Sequence, residues 1–561
     1  MSQPRAMASV RRREYFVFGM LLLLATTLGG CSAETSAETD GSADAQGDSG
    51  ELDAPDTRPL DGGPDIDIVP GDVSADTDAV VTALSFALVA PRFAPAGSSI
   101  PFRVHALNTD GSVAAGASGG VNLETEPADA LATRRVILRR GVGSLTTSWT
   151  GEPFRVRVDG TETWAEVAPF AGQPTTLNMP IDADAVWTAN TWIRLDESLT
   201  LEEASRLRVE SGVWVELGPS VNLFANGPIQ VDGAIGAPVV FSGIGGDPWG
   251  GVVMGAEGGE FTHTFFIEGG ADGSRAFGHS NSQAVVFSDG GDVLLADCTI
   301  QDGPGKAMGA RRGAWIILRS LITRTDTGGE FEHAGLLVED TWFTDFPELD
   351  PAPRDDDNDA IYLLGDPGNP AQPLSTIRRS TFLGGADDGI DHNGSDVVVE
   401  QSWIEGFHNE CVAASSGARI HVEDTVLLGC QQCLEAGYGA PTVTGNHLLV
   451  AGCDVGLRFG DNYDREYTGT LSVRNSVVFA NAERDVWNWL FSTNAPAEGR
   501  VLIDNSLLSA DQAEGGSGNV VGEPQLTVML LLGPSSAGVG IADGGLEPGL
   551  LTGRPGQVPN R

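Results

Sequence analysis

The sequence predicts an all-β fold, namely a right-handed parallel β-helix preceded by a small β-sandwich and a disordered acidic tether. Three observations predict it. A four-residue pattern recurs along the second half of the chain, consisting of a polar residue, a Ser, Thr or other small residue, and two apolar residues. Strictly alternating segments lead into this array, and residues 32–78 contain almost no large apolar side chains.

The recurring pattern defines the β-helix. It starts at Asp297, Arg319, Asp340, Arg379, Gln401, Asp424, Asn446, Asn475 and Asn505. Successive starts differ by 22, 21, 39, 22, 23, 22, 29 and 30 residues. A base period near 22 residues with loop insertions is typical of stacked coils, because each coil buries its inward side chains only against its neighbours. We therefore expect the β-helix over residues 173–545 and a short tail over residues 546–561.

Two segments precede the β-helix. Short alternating segments punctuated by turn residues predict a small antiparallel sandwich over residues 80–172. This sandwich resembles bacterial Ig-like modules, which implies a spacer or adhesive role. Residues 31–79 are rich in Ser, Ala, Gly, Asp, Glu and Pro, and such a segment buries too little apolar surface to offset its chain entropy. We expect a disordered acidic linker there.

The N-terminus carries a targeting signal over residues 1–30. A basic stretch, 11–13, precedes a short apolar stretch, 16–27, and then Leu28-Gly29-Gly30-Cys31. The apolar stretch is short for a membrane span and fits a signal peptide. The Leu-Gly-Gly-Cys sequence resembles the lipobox of bacterial lipoproteins. This resemblance implies lipidation of Cys31, cleavage before it, and an exported protein anchored by lipid at the outer membrane or cell surface.

Charge narrows the range of partners. The formal net charge is −44, so little in the chain would neutralise nucleic-acid phosphates. The Gly-rich turns are not followed by Lys-Ser/Thr or by a helix, and nucleotide binding has no support. We expect a membrane partner through the lipid anchor and a polysaccharide or cell-surface glycan, with no nucleic acid or nucleotide.

Four cysteines fit the coil period. Cys430 and Cys453 differ by 23 residues, and Cys411 and Cys433 by 22, so each pair falls one coil apart. Neighbouring strands lie ~4.8 Å apart, within the roughly 4.4–6.8 Å that disulfides tolerate between Cα atoms. Two coil-to-coil disulfides are therefore expected in an exported protein, although a stack of free buried cysteines fits the same spacing.

An acidic constellation is the candidate for chemistry. It contains Asp387 and Asp388, followed by Asp391, and alignment of the coils adds Asp359 one coil before and Glu410 one coil after. Two carboxylates ~5 Å apart repel by about 3 kcal/mol at an effective dielectric of 20. A stack of them requires a cation, raised pKa values or exposure to solvent. Hard oxygen ligands in this number favour Ca²⁺.

The Asp-Asp-Gly-Ile-Asp sequence of this constellation resembles the aspartate motif of calcium-dependent β-helix pectate lyases. The resemblance implies that Ca²⁺ binds a uronate carboxylate while a base removes the C5 proton. Those lyases use a lysine or an arginine as base, and Lys306 is expected several coils away. Arg458, Arg419 or His392 is then the candidate catalytic base.

Several functions remain open from the sequence. The first is a surface lipoprotein whose calcium-binding β-helix contacts extracellular polysaccharide without cleaving it, or cleaves it weakly. The alternative is a calcium-dependent uronate lyase acting by β-elimination; a hydrolase is disfavoured because the Gly-His-Gly and Arg-Ile-Lys motifs of polygalacturonase-type enzymes are missing. A third possibility is that these acids bind a Ca²⁺ ion that only holds neighbouring coils together, or form acidic turns exposed to water. His392, Ser415, Tyr438 and Asp461 recur every 23 residues and predict one polar column.

Overall fold

The protein is described here by a computed structural model covering residues 85–347, 358–369, 371–460, 466–490, 495–496, 500–509, 516–527 and 530–551. These residues are nearly all β; the helices among them are the short 3-10 turns Ile244–Gly246, Gly273–Arg275 and Asp543–Gly545. None of them is long and apolar enough to cross a membrane. The predicted signal peptide, the lipidation site Cys31, the acidic linker and Asp461 lie outside the described residues.

The N-terminal part is a sandwich of two sheets. The three-stranded sheet comprises Ser85–Val89, Ser99–Leu107 and Val142–Ser148. The five-stranded sheet comprises Phe93–Ala94, Ala165–Pro169, Phe154–Val158, Gly119–Glu126 and Arg135–Leu138. Alternating side chains of both sheets, such as Phe102 and Val156, are fully buried between them. This is the alternation that a two-sheet core requires.

The rest of the described chain forms a right-handed parallel β-helix with three walls, which confirms the predicted fold class. Wall 1 contains Ala185–Trp187, Leu207–Val209, Ile229–Asp232, Gly259–Thr262, Val293–Ala296, Ala314–Leu318, Gly335–Glu339, Leu374–Arg378, Asp396–Glu400, Arg419–Glu423, Thr442–Asn446, Thr470–Arg474 and Val501–Asp504. Wall 2 contains Thr175–Thr176, Trp192–Leu195, Trp214–Leu217, Val239–Gly243, Thr264–Ile267, Thr299–Gln301, Leu321–Thr323, Trp342–Phe346, Thr381–Gly385, Trp403–Phe407, Val426–Leu428, Leu449–Ala451, Val477–Phe479, Leu507–Leu508 and Val520–Val521. Wall 3 contains Leu199–Leu201, Leu223–Ala225, Val252–Met254, Ala284–Asp289, Lys306–Arg311, Gly329–Glu332, Ile361–Leu364, Ile390–Asn393, Glu410–Ser415, Gln432–Ala436, Val455–Phe459, Arg484–Leu490 and, paired antiparallel to the last of these, Ala495–Pro496.

The recurring sequence pattern forms the corner between walls 1 and 2. Its polar residue adopts a left-handed conformation, with φ of 57° at Asp297, 47° at Arg319 and 55° at Asp340. The predicted start at Asn446 is one residue early, since Asn446 ends a strand of wall 1 and His447, with φ of 54°, makes the corner. A single residue in this conformation turns the chain sharply between two strands. The hydroxyl residue that follows points inward and stacks, since the Ser320 N–H donates to Thr341 Oγ1 at 3.3 Å and the Thr341 N–H to Ser380 Oγ at 3.2 Å. This ladder satisfies buried N–H groups that no strand would pair.

The outer face of wall 2 is covered along its length. The sandwich packs on its first coils, where Trp214 and Phe265 join the sandwich core. The C-terminal segment 530–551 packs on later coils against an apolar group that includes Trp403 and Val477. The Arg140 guanidinium lies 3.5 Å from the centroid of the Trp403 ring, between the two coverings.

The cysteine pairing differs from the expected one. The bridges join Cys411 to Cys430 and Cys433 to Cys453, with Cα atoms 5.7 and 5.9 Å apart, rather than Cys430 to Cys453 and Cys411 to Cys433. The side chains of two cysteines in register on adjacent coils point in the same direction, side by side. A cysteine on wall 3 instead meets the one at the wall 2–wall 3 corner of the next coil, so each disulfide still ties adjacent coils together. Cys298 is a buried free thiol.

Candidate metal centre

Polar residues precede successive strands of wall 3, at the corner with wall 2. Asp359 and Asp388 each stand two residues before the strands Ile361–Leu364 and Ile390–Asn393. The Ala360 N–H donates to the Asp388 carbonyl at 2.9 Å, and the Gly389 N–H donates to the Glu410 carbonyl at 2.8 Å. Asp359, Asp388 and Glu410 therefore follow one another on three successive coils.

Three carboxylates come together at this corner, and we call Asp359, Asp387 and Asp388 the acidic cluster. One oxygen of each lies within 4.8 Å of the others. The three residues are 3%, 7% and 6% exposed. Aspartate is almost never this buried unless it is paired or bound to a cation. The cluster therefore has the hard-oxygen donors and the separation that a divalent cation requires.

Hydrogen bonds hold the cluster in place. Asp388 donates its backbone N–H to Asp359 Oδ1 at 3.2 Å, and Glu410 donates its own to Asp388 Oδ1 at 2.6 Å. The Asn409 amide donates to Asp387 Oδ1 at 2.5 Å. Each carboxylate thus keeps an oxygen fixed by the next coil, which orients the group before any ligand arrives.

The electrostatics of the cluster favour one proton or one cation. Burial is the main reason why the pKa of the Asp388 carboxyl lies well above its usual range. The negative charges of Glu410, Asp387 and Asp359 raise this pKa further. A cation bound among the acids would reverse this effect, since its charge stabilises the ionised carboxylates.

Two predicted ligands, Asp391 and Glu410, lie beside the cluster but outside the group of oxygens within 4.8 Å. Asp391 is opposite Tyr362 in the register of wall 3. Burial is the main cause that raises the pKa of the Tyr362 phenol, and the charge of Asp391 adds to it. Asn393 lies two residues after Asp391 on the same strand, with its amide 3.4 Å from the Tyr362 hydroxyl and 3.3 Å from that of Tyr438.

The structure argues against His392 as a base. Its side chain is fully buried inside the coil, where Nδ1 lies 2.9 Å from the Ala413 carbonyl. Burial lowers the pKa of the imidazole to about 4. A ring enclosed by three walls does not reach a substrate outside them, so the structure gives His392 a packing role.

The arginines proposed as bases also lie elsewhere. Arg458 is three strands beyond Asp391 on wall 3, about 14 Å at the usual strand spacing, and its Nη1 is 3.7 Å from Glu435 Oε2. Arg419 is on wall 1, where it pairs with Asp396. Lys306, by contrast, is nearer than expected, because its strand is only two positions before Ile361–Leu364 in wall 3. The long insertion near residue 350 separates them in sequence but not in the stack.

Sequence analysis missed the residues that accompany the cluster. Tyr362 follows Asp359 by three residues, as Asp391 follows Asp388, so alignment of these acids would have placed Tyr362 opposite Asp391. Asp326 precedes the cluster by one coil, where Asn358 donates to it at 2.9 Å. No comparable repeat in the sequence marks Asp326, because the insertion interrupts the period between these two residues.

Comparison with known proteins gives distant structural matches. No protein-family model and no curated protein matches the chain. A PL6 family alginate lyase, AlyGC, superposes with a TM-score of 0.29 at 11% identity, covering 62% of this chain and 55% of that one. The pectate lyase Pel9A superposes with a TM-score of 0.22 at 10% identity, covering 58% of this chain and 76% of that one. The A-module of the Azotobacter vinelandii mannuronan C-5 epimerase AlgE4 superposes with a TM-score of 0.21 at 10% identity, covering 62% of this chain and 91% of that one. The chain thus spans about half of the length of the first of these proteins.

Proposed function

We propose that the protein is a calcium-binding β-helix that attaches to extracellular polysaccharide and cleaves it weakly or not at all. The observation that carries this proposal is the acidic cluster, in which three buried carboxylates approach within 4.8 Å. Asp359, Asp387 and Asp388 would hold the ion, and solvent or a sugar oxygen would complete its shell of six to eight ligands.

Groups suited to sugars adjoin the cluster on the outer face of wall 3. The Asn393 amide lies between the hydroxyls of Tyr362, which is only 6% exposed, and Tyr438, which is partly buried. The ring of Tyr362 stacks on that of His279, with centroids 5.1 Å apart. Hydroxyl, amide and aromatic groups match the hydroxyls and the apolar faces of a sugar ring, which supports a carbohydrate partner.

The chain's charge determines how such a partner would bind. At a net charge of −44, an acidic polysaccharide is repelled at long range unless cations screen or bridge the two. A bound Ca²⁺ would supply that bridge. Binding to acidic polysaccharide should therefore depend on Ca²⁺, whereas screening alone would act equally well with any salt of the same ionic strength.

A cosedimentation assay tests the proposal. The full chain is mixed with insoluble alginate, polygalacturonate or a neutral glucan, in Ca²⁺ or in EGTA at matched ionic strength. We expect Ca²⁺-dependent retention that Asp388→Asn abolishes and that Asp289→Asn, at an exposed position, leaves intact. Equal retention of both variants, or retention unaffected by EGTA, would contradict a calcium-mediated contact.

A calcium-dependent uronate lyase is the second candidate. The observation that favours it is the pair Tyr362 and Asp391 beside the cluster, because β-elimination needs a proton acceptor and a proton donor next to the cation. The test is the ultraviolet absorbance of unsaturated uronates during incubation with the same polysaccharides. A Ca²⁺-dependent rise that Tyr362→Phe removes would establish the lyase, and a flat trace alongside calcium-dependent retention would establish the binding protein.

The location of the protein remains part of the proposal. Lipidation of Cys31 would attach the chain to the outer membrane or cell surface and leave the β-helix facing outward. Metabolic labelling with a tagged fatty acid tests this. Label on the wild type and none on Cys31→Ser is expected; label on both, or on neither, would contradict an anchor at Cys31.

A further inference from the structure

The only lysine of the chain is buried against a glutamate. Lys306 is the single lysine among 33 basic residues, and every other one is an arginine. Its side chain is 0% exposed, and its Nζ lies 2.5 Å from Oε2 of Glu330, whose side chain is 3% exposed. The two residues stand on neighbouring strands of wall 3. A fully buried ion pair generally gains little, because removing two charges from water offsets their attraction.

The surroundings of this pair suit an amide group. The Lys306 ammonium donates to the Phe277 carbonyl, and Glu330 Oε1 accepts the backbone N–H of His279 at 2.6 Å. In an amide joining Nζ to the glutamate Cδ, the one remaining N–H would keep the Phe277 carbonyl and the C=O would keep the His279 N–H. Both polar atoms of the product thus have their partners in place, and no buried charge remains.

The segment 277–279 packs against the Lys306–Glu330 pair and covers it. Gly278 has a φ of 69°, and a Cβ at this position would collide with the Glu330 carboxylate. The ring of Phe277 lies 5.1 Å from the Lys306 Nζ and shields it on another side. Exclusion of water from both groups favours condensation over hydrolysis, because the water released cannot readily return.

We propose that Lys306 and Glu330 form an intramolecular isopeptide bond that joins two coils covalently. The reaction starts after one proton has passed along the Nζ–Oε2 hydrogen bond, which gives an amine and a carboxylic acid. The nitrogen lone pair attacks Cδ, and negative charge develops on Oε1, where the His279 N–H stabilises it. The Cδ–Oε2 bond then breaks, and Oε2 leaves as water with two protons derived from the ammonium. No oxidant, reductant or other reactant is consumed.

This chemistry explains why residue 306 is a lysine whereas every other residue counted as Lys or Arg is an arginine. A guanidinium stays protonated and does not acylate under such conditions, whereas an ammonium that loses a proton becomes a nucleophile. Other ion pairs of the described chain use arginine, at exposed positions as in Arg319–Asp297 and at a buried one in Arg458–Glu435. Arginine serves there because only charge and hydrogen bonding are needed.

The single lysine gives the proposal a sharp test. The endoproteinase Lys-C cuts after free lysine side chains only, so the denatured, reduced and alkylated chain offers it one site, after Lys306. We expect the wild-type chain to remain uncut, and Glu330→Ala to be cut into two fragments. Because the digest is performed on unfolded protein, failure of the variant to fold does not affect the result. Glu332→Ala removes a more exposed glutamate two residues away and should remain uncut.

Mass spectrometry identifies the bond itself. Tryptic digestion of the wild type should yield residues 276–311 joined to residues 325–354, lighter than the sum of the two peptides by one water. Lys306→Arg should yield no branched product. Complete cutting of the wild type by Lys-C, or an uncut chain without the branched peptide, would overturn the proposal and leave an ordinary buried ion pair.

Discussion

Replacement of Asp388 by asparagine tests the electrostatics of the acidic cluster. At 4.8 Å and an effective dielectric of 20, two charged carboxylates repel by about 3.5 kcal/mol, and Asp388 faces two such neighbours. The raised pKa of Asp388 means that the folded chain without metal keeps a proton that the unfolded chain loses near pH 4. Stability from this neutral form is complete below that pH and declines as pH rises toward the folded-state pKa. The decline amounts to about 1.4 kcal/mol for each pH unit.

Urea unfolding in EGTA, followed by tryptophan fluorescence at several pH values, measures this decline. As pH rises from 4 toward 7, the free energy of unfolding of the wild type should fall relative to that of Asp388→Asn. Saturating Ca²⁺ should remove the difference in slope, because the cation replaces the proton. Asp289→Asn should follow the wild type. Parallel pH profiles for the wild type and Asp388→Asn in EGTA would refute the reasoning.

Three further predictions concern the scaffold. Because burial lowers the pKa of His392 to about 4, the neutral imidazole contributes a folding free energy that is complete above pH 6.5 and falls by about 3 kcal/mol as pH drops toward 4. Urea unfolding of His392→Gln at several pH values should lack this loss, and a pH profile identical to that of the wild type would contradict it. In Cys411→Ala, alkylation without reduction should label Cys430, as the described pairing requires, whereas label on Cys433 would support pairing in register. Trp342, 2% exposed beneath the sandwich, should cost about 3–5 kcal/mol when replaced by alanine, and a loss below 1 kcal/mol in thermal unfolding would mean that the sandwich does not pack there.

The sequence was sufficient to predict the architecture because the repeat has a local physical cause. A left-handed corner residue followed in most of these coils by an inward hydroxyl recurs from Asp297 to Asn505, so the pattern marks the same turn repeatedly. The alignment based on that turn also places Asp359, Asp388 and Glu410 on successive coils. Period and corner chemistry together thus determine which residues become neighbours along the stack.

Other features depend on geometry that the period does not encode. The expected column of His392 and Ser415 is one residue out of register, since His392 pairs with Ala414, and a shift of one residue moves a side chain to the opposite face of the strand. The cysteines bond across a corner, which spacing along one column does not predict. Lys306 comes within two strands of the cluster because an insertion adds sequence without adding a coil.

Calorimetric titration of Ca²⁺ into the metal-stripped full chain tests the central claim most directly, because it measures occupation of the acidic cluster without any assumption about the polysaccharide. The account predicts a binding isotherm for the wild type and for Asp289→Asn, and loss of that isotherm in Asp388→Asn. Equal Ca²⁺ binding by Asp388→Asn, or no binding by the wild type, would contradict a metal centre formed by Asp359, Asp387 and Asp388.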